Sequence, residues 1–136
     1  MDEPFTFRSV MVIDDDRLMH ELFNYMLERG KFARTIHNYL HAEDALQFLQ
    51  ETAAKNPSDL PQLIFLDINM PFMNGWEFIE QYNLLNKTYE PGTRLFLLSS
   101  SVDPFDRERS KTFSVIEDFI SKPISKKILE EIGMKR

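Results

Sequence analysis

The segment from Leu63 to Gly75 reads LIFLDINMPFMNG and decides the fold. Its first four residues are bulky and apolar, too few for a helix and without polar alternation, so they predict a strand buried on both faces of a parallel sheet. The run ends at Asp67, and Pro71 and the pair Asn74-Gly75 then predict a turn. We therefore expect Asp67 at the carboxyl end of a strand, which is the edge where ligands bind in open α/β sheets.

Four further segments predict strands. They are residues 9–13, 34–39, 95–98 and 118–121. Residues 34–39 are more polar than the others and alternate in character, which suits a strand at the edge of the sheet. Residues 9–13 and 95–98 are compact and mainly apolar, residues 118–121 form a short strand, and each of the three is followed by polar or charged side chains.

Helical patterns fill the gaps between these strands. The residues that repeat at helical spacing are Leu18, Leu22, Tyr25 and Met26 in the first helix, Ala42, Ala45, Leu46, Leu49 and Ala53 in the second, and Phe78, Ile79, Tyr82 and Leu85 in the third. Asp16 predicts the N-cap of the first helix, and Asp103-Pro104 predict the start of a fourth that extends to about Phe113. Ser125 predicts the cap of a fifth helix.

Five strands that alternate with five helices predict a doubly wound α/β domain with helices on both faces of a parallel sheet. With the polar strand at one edge, the flavodoxin-like strand order 2-1-3-4-5 is the natural arrangement. In the fifth helix, Ile124, Ile128 and Ile132 are expected on one face. The 136 residues fit a single domain, which we expect to span 1–136 with its core at about 8–133 and no output domain.

Composition excludes several classes of function. Cysteine is absent, which excludes disulfides, thiol nucleophiles and thiolate metal sites. The net charge of −6 argues against nonspecific nucleic-acid binding, which needs a basic surface. No apolar run approaches membrane-spanning length, and Met1 to Pro4 lack the basic start and apolar middle of a signal peptide. We expect a cytoplasmic protein with no nucleic-acid or membrane partner.

Reactive side chains follow or end four of the predicted strands. They are Asp14, Asp15, Asp67, Ser99 and Lys122. Because the carboxyl ends of parallel strands meet at one edge, we expect these side chains to lie together. Three carboxylates within about 4 Å of one another would repel by roughly 4 kcal/mol per pair, and one ammonium offsets only part of this. The sequence predicts either a bound divalent cation, with Mg²⁺ suited to such oxygen ligands, or a protonated carboxylate with a raised pKa.

This set of residues also predicts a reaction. A carboxylate beside Mg²⁺ can attack phosphorus and form an acyl phosphate, a reaction that depends on positioning and charge neutralisation. The Lys122 ammonium would neutralise phosphoryl oxygens, and the Ser99 hydroxyl would donate a hydrogen bond to them.

Four motifs occur in a fixed order along the chain. They are Ile13-Asp14-Asp15-Asp16, Leu66-Asp67-Ile68-Asn69-Met70-Pro71 with Asn74-Gly75, Leu97-Leu98-Ser99-Ser100, and Phe119-Ile120-Ser121-Lys122-Pro123. Together they resemble the receiver domains of two-component response regulators, the chemotaxis-regulator-like family, over nearly the whole chain. The resemblance implies a phosphorelay switch rather than an enzyme, with at most slow autodephosphorylation. It implies that Asp67 accepts a phosphoryl group from a histidine kinase or a histidine phosphotransfer protein.

The resemblance also implies the roles of individual residues. Asp14 and Asp15 would hold Mg²⁺ together with Asp67 and the backbone carbonyl of Asn69. Lys122 would bind the phosphate, and its peptide bond to Pro123 is a candidate for the cis form.

Further roles concern the response to phosphorylation. Ser99 would be the switch hydroxyl, and Phe119 the aromatic side chain that changes rotamer on activation. Asn69 and Ser101 match positions that tune dephosphorylation in the family. We expect an unknown downstream protein to bind a face formed by the fourth helix, fifth strand and fifth helix. Its candidate residues are Phe113, Phe119, Lys126 and Lys127.

Two alternative functions and two alternative residue roles stay open. A phosphohydrolase of the haloacid-dehalogenase kind also uses an aspartyl nucleophile, but its Asp-x-Asp motif lies on the first strand, whereas here Asp67-x-Asn69 lies on the third. A receiver-like binding module would work without phosphorylation. Phe119 could be an ordinary core aromatic. The three histidines are expected at the surface or sheet edge rather than as ligands.

Overall fold

The structure, a computed structural model, describes residues 5–100 and 103–135. Met1 to Pro4 and Ser101, which carry two of the predictions above, lie outside this part. The strands are β1 (Phe7–Ile13), β2 (Ala33–Tyr39), β3 (Leu63–Asp67), β4 (Arg94–Ser99) and β5 (Ile116–Ser121). The helices are α1 (Arg17–Arg29), α2 (Ala42–Lys55), α3 (Gly75–Tyr89), α4 (Pro104–Ser110) and α5 (Lys126–Met134), with a 3₁₀ turn at Pro57–Asp59. Among the described helices, none combines the length and the apolar character that a membrane span requires.

The strands form one parallel sheet in the order β2-β1-β3-β4-β5, which confirms the predicted flavodoxin-like arrangement. β3 lies at the centre, and all five of its residues are buried. β2 lies at one edge and has the most exposed residues of the strands on that side of the sheet. A strand with helices over both faces needs apolar side chains in both directions, whereas an edge strand tolerates polar ones.

Side chains of the central strand alternate between two apolar cores, one on each face of the sheet. Ile64 and Leu66 belong to the core beneath α2 and α3. Leu63 and Phe65 belong to the core beneath α1 and α5. The predicted apolar faces of α2 and α3 are confirmed, since their predicted residues are buried.

The predicted apolar face of α1 is wrong. Leu18 and Tyr25 are 71% and 53% exposed, and the helix instead buries His20, Phe23 and Leu27. Both rows have helical spacing, so periodicity alone does not select between them. The Phe23 ring lies 5.2 Å from that of Phe65 on β3, and this packing determines how the helix is rotated.

The fourth and fifth helices differ from prediction in detail. Asp103 does cap α4, accepting a hydrogen bond from the Phe105 N–H at 2.9 Å, but the helix ends at Ser110 and not near Phe113. The chain leaves the helix and places the Phe113 ring against that of Trp76, with centroids 6.2 Å apart. In α5 the buried residues are Leu129 and Ile132, whereas Ile128 is only partly buried and Ile124 precedes the helix.

Gly75 allows the first turn of α3 to press against the chain that follows β3. Its N–H donates to the Ile68 carbonyl at 3.1 Å. A Cβ at this position would lie 2.5 Å from Ile68 Cα and 3.1 Å from the Asp67 carbonyl oxygen. Both neighbours are backbone atoms, which cannot rotate away as a side chain could. The Asn74 side chain caps the same helix through a reciprocal capping box with Glu77.

We expect Gly75→Ala to lower the free energy of unfolding by about 1–3 kcal/mol, because overpacking a close contact forces the backbone to shift. Gly133→Ala is the matched control, since its new methyl group would meet only side-chain atoms, those of Thr6 at 3.1 Å and Phe32 at 3.9 Å. Urea unfolding measures both variants. Equal stability of the two variants would contradict the close-packing argument.

Candidate functional site

The carboxyl edge of the sheet brings together the reactive side chains that the sequence places at strand ends. Asp14 follows β1, Asp67 ends β3, Ser99 ends β4 and Lys122 follows β5. One carboxylate oxygen from each of Asp14, Asp15 and Asp67 lies within 4.8 Å of the others. The expected spatial cluster is therefore present.

Lys122 joins the two buried acids of this cluster. Its Nζ lies 2.7 Å from Asp14 Oδ2 and 3.4 Å from Asp67 Oδ2. Asp14 and Asp67 are buried, whereas Asp15 is exposed. If ionised, three carboxylates and one ammonium sum to a charge of −2. The acids line an open pocket of about 470 Å³, which leaves room beside them for a ligand.

Several neighbouring groups, together with burial, shift the pKa of Asp67. Burial, the largest cause, raises the pKa of its carboxyl above the ordinary 3.8. The Asn69 N–H, which donates to Asp67 Oδ1 at 3.1 Å, lowers it; nearby Asp14 raises it again, and Lys122 lowers it. The net direction of the pKa is upward, as expected for a buried acid beside a second carboxylate.

The two buried acids in turn shift the pKa of Lys122. Burial alone would lower the pKa of its ammonium, but Asp14, followed by Asp67, outweighs burial and raises the pKa above 10.5. Lys122 therefore stays charged at neutral pH, as a group that neutralises anionic oxygens must.

Ser99 and Asn69 lie beside Asp67 on the side of β4. Ser99 is fully buried, and its Oγ accepts a hydrogen bond from Asn69 Nδ2 at 3.4 Å. The Lys122 N–H donates to the Ser99 carbonyl at 2.8 Å, which couples the ends of β4 and β5. The Lys122-Pro123 peptide is cis, as the family resemblance suggested. Ser101 lies outside the described residues.

The aromatic side chains expected on the partner-binding face are largely covered in this structure. Phe119 is buried in the core, with the Arg107 guanidinium 5.4 Å from its ring centre. Phe113 is half-buried against Trp76. Exposed residues of this region include Phe105 on α4 and the two predicted lysines, Lys126 and Lys127, on α5.

The expectation that all three histidines lie at the surface or sheet edge is wrong for His20. His20 is buried in α1, and its Nε2 lies 2.7 Å from the backbone carbonyl oxygen of Asp14. His41 is exposed, and His37 is half-buried on the edge strand β2. The one signal in the sequence is that His20 lies six residues after Asp14, a predicted ligand. This spacing does not by itself predict the contact, because the contact depends on how α1 packs against the end of β1.

The donor set of the cluster fits a hard divalent cation. All donors are carboxylate oxygens, nitrogen and sulfur ligands are absent among them, and the uncompensated negative charge would be relieved by a cation. The Asp15 carboxylate and Asn69 are exposed at the mouth of the pocket, where they are accessible from solvent.

Comparison with known proteins identifies the same family that the four sequence motifs resemble. The sequence model of the family described as "Response regulator receiver domain" matches residues 10–132. The chain therefore belongs to the receiver domains of two-component systems, whose general role is to accept phosphoryl groups as signalling switches rather than to act as conventional enzymes.

Individual relatives support this membership. Sensory transduction protein LytT of Bacillus cereus is 31% identical over 116 residues, which cover 85% of this chain and 41% of that protein. Two other curated relatives are also much longer, with 7% and 20% of their lengths covered. A two-component response regulator from Cytophaga hutchinsonii has a similar structure, with a TM-score of 0.83, 27% identity, and 96% and 98% of the two chains covered.

A more distant structure shares the fold. It is the receiver domain of a histidine kinase from Arabidopsis thaliana, solved in complex with Mg²⁺ and BeF₃⁻, with a TM-score of 0.80 and 18% identity over 95% of this chain and 91% of that chain.

The raised pKa of Asp67 predicts how stability depends on pH in the absence of divalent cations. Between 3.8 and its higher folded-state pKa, the folded protein binds more protons at Asp67 than the unfolded chain, so its contribution to the free energy of unfolding falls as pH rises. We expect Asp67→Asn to be more stable than the wild type at neutral pH in EDTA, with the difference vanishing below about pH 3.8.

Urea unfolding at a series of pH values measures this difference. Asp44→Asn, on the exposed side of α2, is the control and should show no such pH-dependent gain. A variant Asp67→Asn that is less stable than the wild type at neutral pH would show that the ion pair with Lys122 outweighs burial.

Proposed function

We propose that this chain is a phosphoacceptor in a two-component phosphorelay, with Asp67 accepting a phosphoryl group from a phosphohistidine on a histidine kinase or phosphotransfer protein. The observation that carries the proposal is the convergence of Asp67 with two other carboxylates and the Lys122 ammonium in one open pocket. A phosphohydrolase of the haloacid-dehalogenase kind is less well supported. In such enzymes the nucleophile and a second acid follow the same strand, whereas here Asp14 and Asp15 follow β1 and Asp67 ends β3.

Each residue of the pocket has a role in this transfer. A carboxylate oxygen of Asp67 forms a bond to phosphorus as the bond from phosphorus to the donor imidazole nitrogen breaks, and the electron pair returns to that nitrogen. The product is an aspartyl phosphate with about one more negative charge than the carboxylate. Lys122, already charged and close to Asp67, neutralises the phosphoryl oxygens.

Asp14, Asp15, Asp67 and the backbone carbonyl of Asn69 are the proposed ligands of Mg²⁺. When bound, Mg²⁺ would supply neutralisation of the charge that develops on the phosphoryl oxygens. The oxygen donor set supports this choice, as does the Mg²⁺ and BeF₃⁻ complex of the Arabidopsis receiver.

The same pocket supports a switching role. Ser99 Oγ, now contacted by Asn69, would turn its hydroxyl towards an added phosphoryl group and donate to it. Phe119 lies on β5, the strand next to β4, and the guanidinium of Arg107 on α4 lies over its ring. A shift of the loop that joins β4 to α4 would therefore change the packing of α4. The downstream protein would bind the α4, β5 and α5 face, where Phe105, Lys126 and Lys127 are exposed.

Exposed apolar side chains flank the pocket and suit a protein donor. Leu18, Leu22 and Tyr25 form a row on α1, which begins directly after the acids at the end of β1. In the loop that follows Asp67 and β3, Phe72 is 84% exposed and has a positive φ of 66°. A donor helix with its own apolar side chains around the phosphohistidine would cover this row.

Incubation with Mg²⁺ and a small acyl phosphate should add one phosphoryl group to the wild type and none to Asp67→Asn, because the nucleophilic oxygen is lost. Intact-mass analysis reads the result, and Asp44→Asn is the control that keeps Asp67. Labelling that survives in Asp67→Asn would defeat the assignment. Rapid turnover of ordinary phosphomonoesters would instead favour the phosphohydrolase.

We expect Leu22→Glu to slow transfer from a phosphorylated histidine phosphotransfer protein by about tenfold, the effect of roughly 1.4 kcal/mol at an interface. Labelling by the small acyl phosphate should stay unchanged, because the pocket is untouched. Leu84→Glu, at another exposed leucine on α3, is the matched control. Equal loss of transfer in both variants would contradict docking at α1.

A further inference from the structure

We propose that His20 is a positioning residue for the cation site, an inference that rests on the proposed function of that site. His20 lies in the second turn of α1, outside the set of acids, and is buried. Its Nε2 lies 2.7 Å from the backbone carbonyl oxygen of Asp14, and its Nδ1 lies 2.8 Å from Asn38 Nδ2 on β2. The ring therefore spans the gap between the end of β1 and the edge strand.

The partners of the ring determine its tautomer. A carbonyl oxygen can only accept, so Nε2 must carry the hydrogen that is donated to Asp14. Nδ1 then accepts from the side-chain amide of Asn38. That amide is itself oriented by Asn24, since the two amides exchange hydrogen bonds of 3.0 and 3.1 Å. All of these polar groups are satisfied in the same arrangement, so the ring has one preferred orientation.

Through this network, β2 fixes both the N–H and the carbonyl of Asp14. The Asp14 N–H donates directly to the Tyr39 carbonyl at 3.0 Å. Its carbonyl is held through His20, which Asn38 orients. β1 ends at Ile13, so without His20 the Asp14 carbonyl would lack a ladder partner at a buried position. The peptide groups on both sides of Asp14 are therefore fixed.

The orientation of this backbone matters most for Asp15. The Asp15 carboxylate has no hydrogen-bond or ion-pair partner within the described part of the chain, whereas Asp14 contacts Lys122. The placement of Asp15 near Asp14 and Asp67 depends on the Asp14–Asp15 peptide, whose carbonyl His20 holds. Loss of the imidazole donor should let that peptide rotate and should move the Asp15 oxygen away from the shared cation position.

The test is the affinity of the purified chain for Mg²⁺ alone, measured by calorimetric titration, together with its stability to urea in EDTA. We expect His20→Phe to weaken Mg²⁺ binding about tenfold, at the low end of the effect of losing a group that orients a metal ligand. His20→Gln should restore most of the affinity, because its amide nitrogen can donate near the position of Nε2.

Two further variants complete the test. His37→Phe changes a half-buried histidine whose ring is tilted against that of Phe48, with centroids 5.0 Å apart. Within the described residues it contacts none of the acids of the cluster, so the Mg²⁺ affinity should stay unchanged. Asn38→Ala replaces an exposed residue and should weaken Mg²⁺ binding in the same direction as His20→Phe but by a smaller factor, which keeps the proposal testable if His20→Phe does not fold.

A role confined to packing predicts that His20→Phe and His20→Gln lose stability in EDTA while Mg²⁺ affinity stays at the wild-type value. That result, or a His20→Gln variant as weak as His20→Phe, would overturn the inference and leave the proposed function intact. Failure of the wild type itself to bind Mg²⁺ would overturn the metal site and the inference that depends on it.

Discussion

The contact of Lys122 with two buried carboxylates is the interaction on which the rest of the site depends. Its ammonium lies 2.7 Å from Asp14 and 3.4 Å from Asp67, and both acids are almost removed from water. Without this ammonium, two like charges would face each other at low dielectric, where repulsion is strong. If all three acids of the cluster are ionised, the pocket keeps excess negative charge even with Lys122 in place, and a bound cation would relieve it.

Backbone hydrogen bonds join the loops that carry this charge. The Lys122 N–H donates to the Ser99 carbonyl, and the Ile68 N–H donates to the Leu98 carbonyl at 3.2 Å. The start of α3 is in turn attached to Ile68 through Gly75. A change of charge at Asp67 therefore acts on loops that are linked to one another across the sheet, and not on one independent segment.

The least firmly packed element near the pocket is α4. Of its seven residues only Ser110 is buried, and its contacts to the body are made mainly by polar side chains. Arg109 lies 4.7 Å from the centre of the Trp76 ring, and Asp106 accepts a hydrogen bond from the Trp76 indole at 3.2 Å. Contacts of this kind contribute about 0.5–2 kcal/mol each, so a small change in the loops can shift this helix.

The sequence by itself determined the alternation of elements, the strand order and the set of acids, hydroxyl and lysine at one edge, because continuous apolar runs and parallel topology leave few other arrangements. It did not determine the rotation of α1 or the role of His20. Two apolar rows on α1 have equivalent spacing, and only packing of Phe23 against Phe65 selects between them. That rotation also buries His20 against Asp14, a contact between helix and strand end that tertiary structure alone decides, because local pattern carries no information about which face meets the sheet.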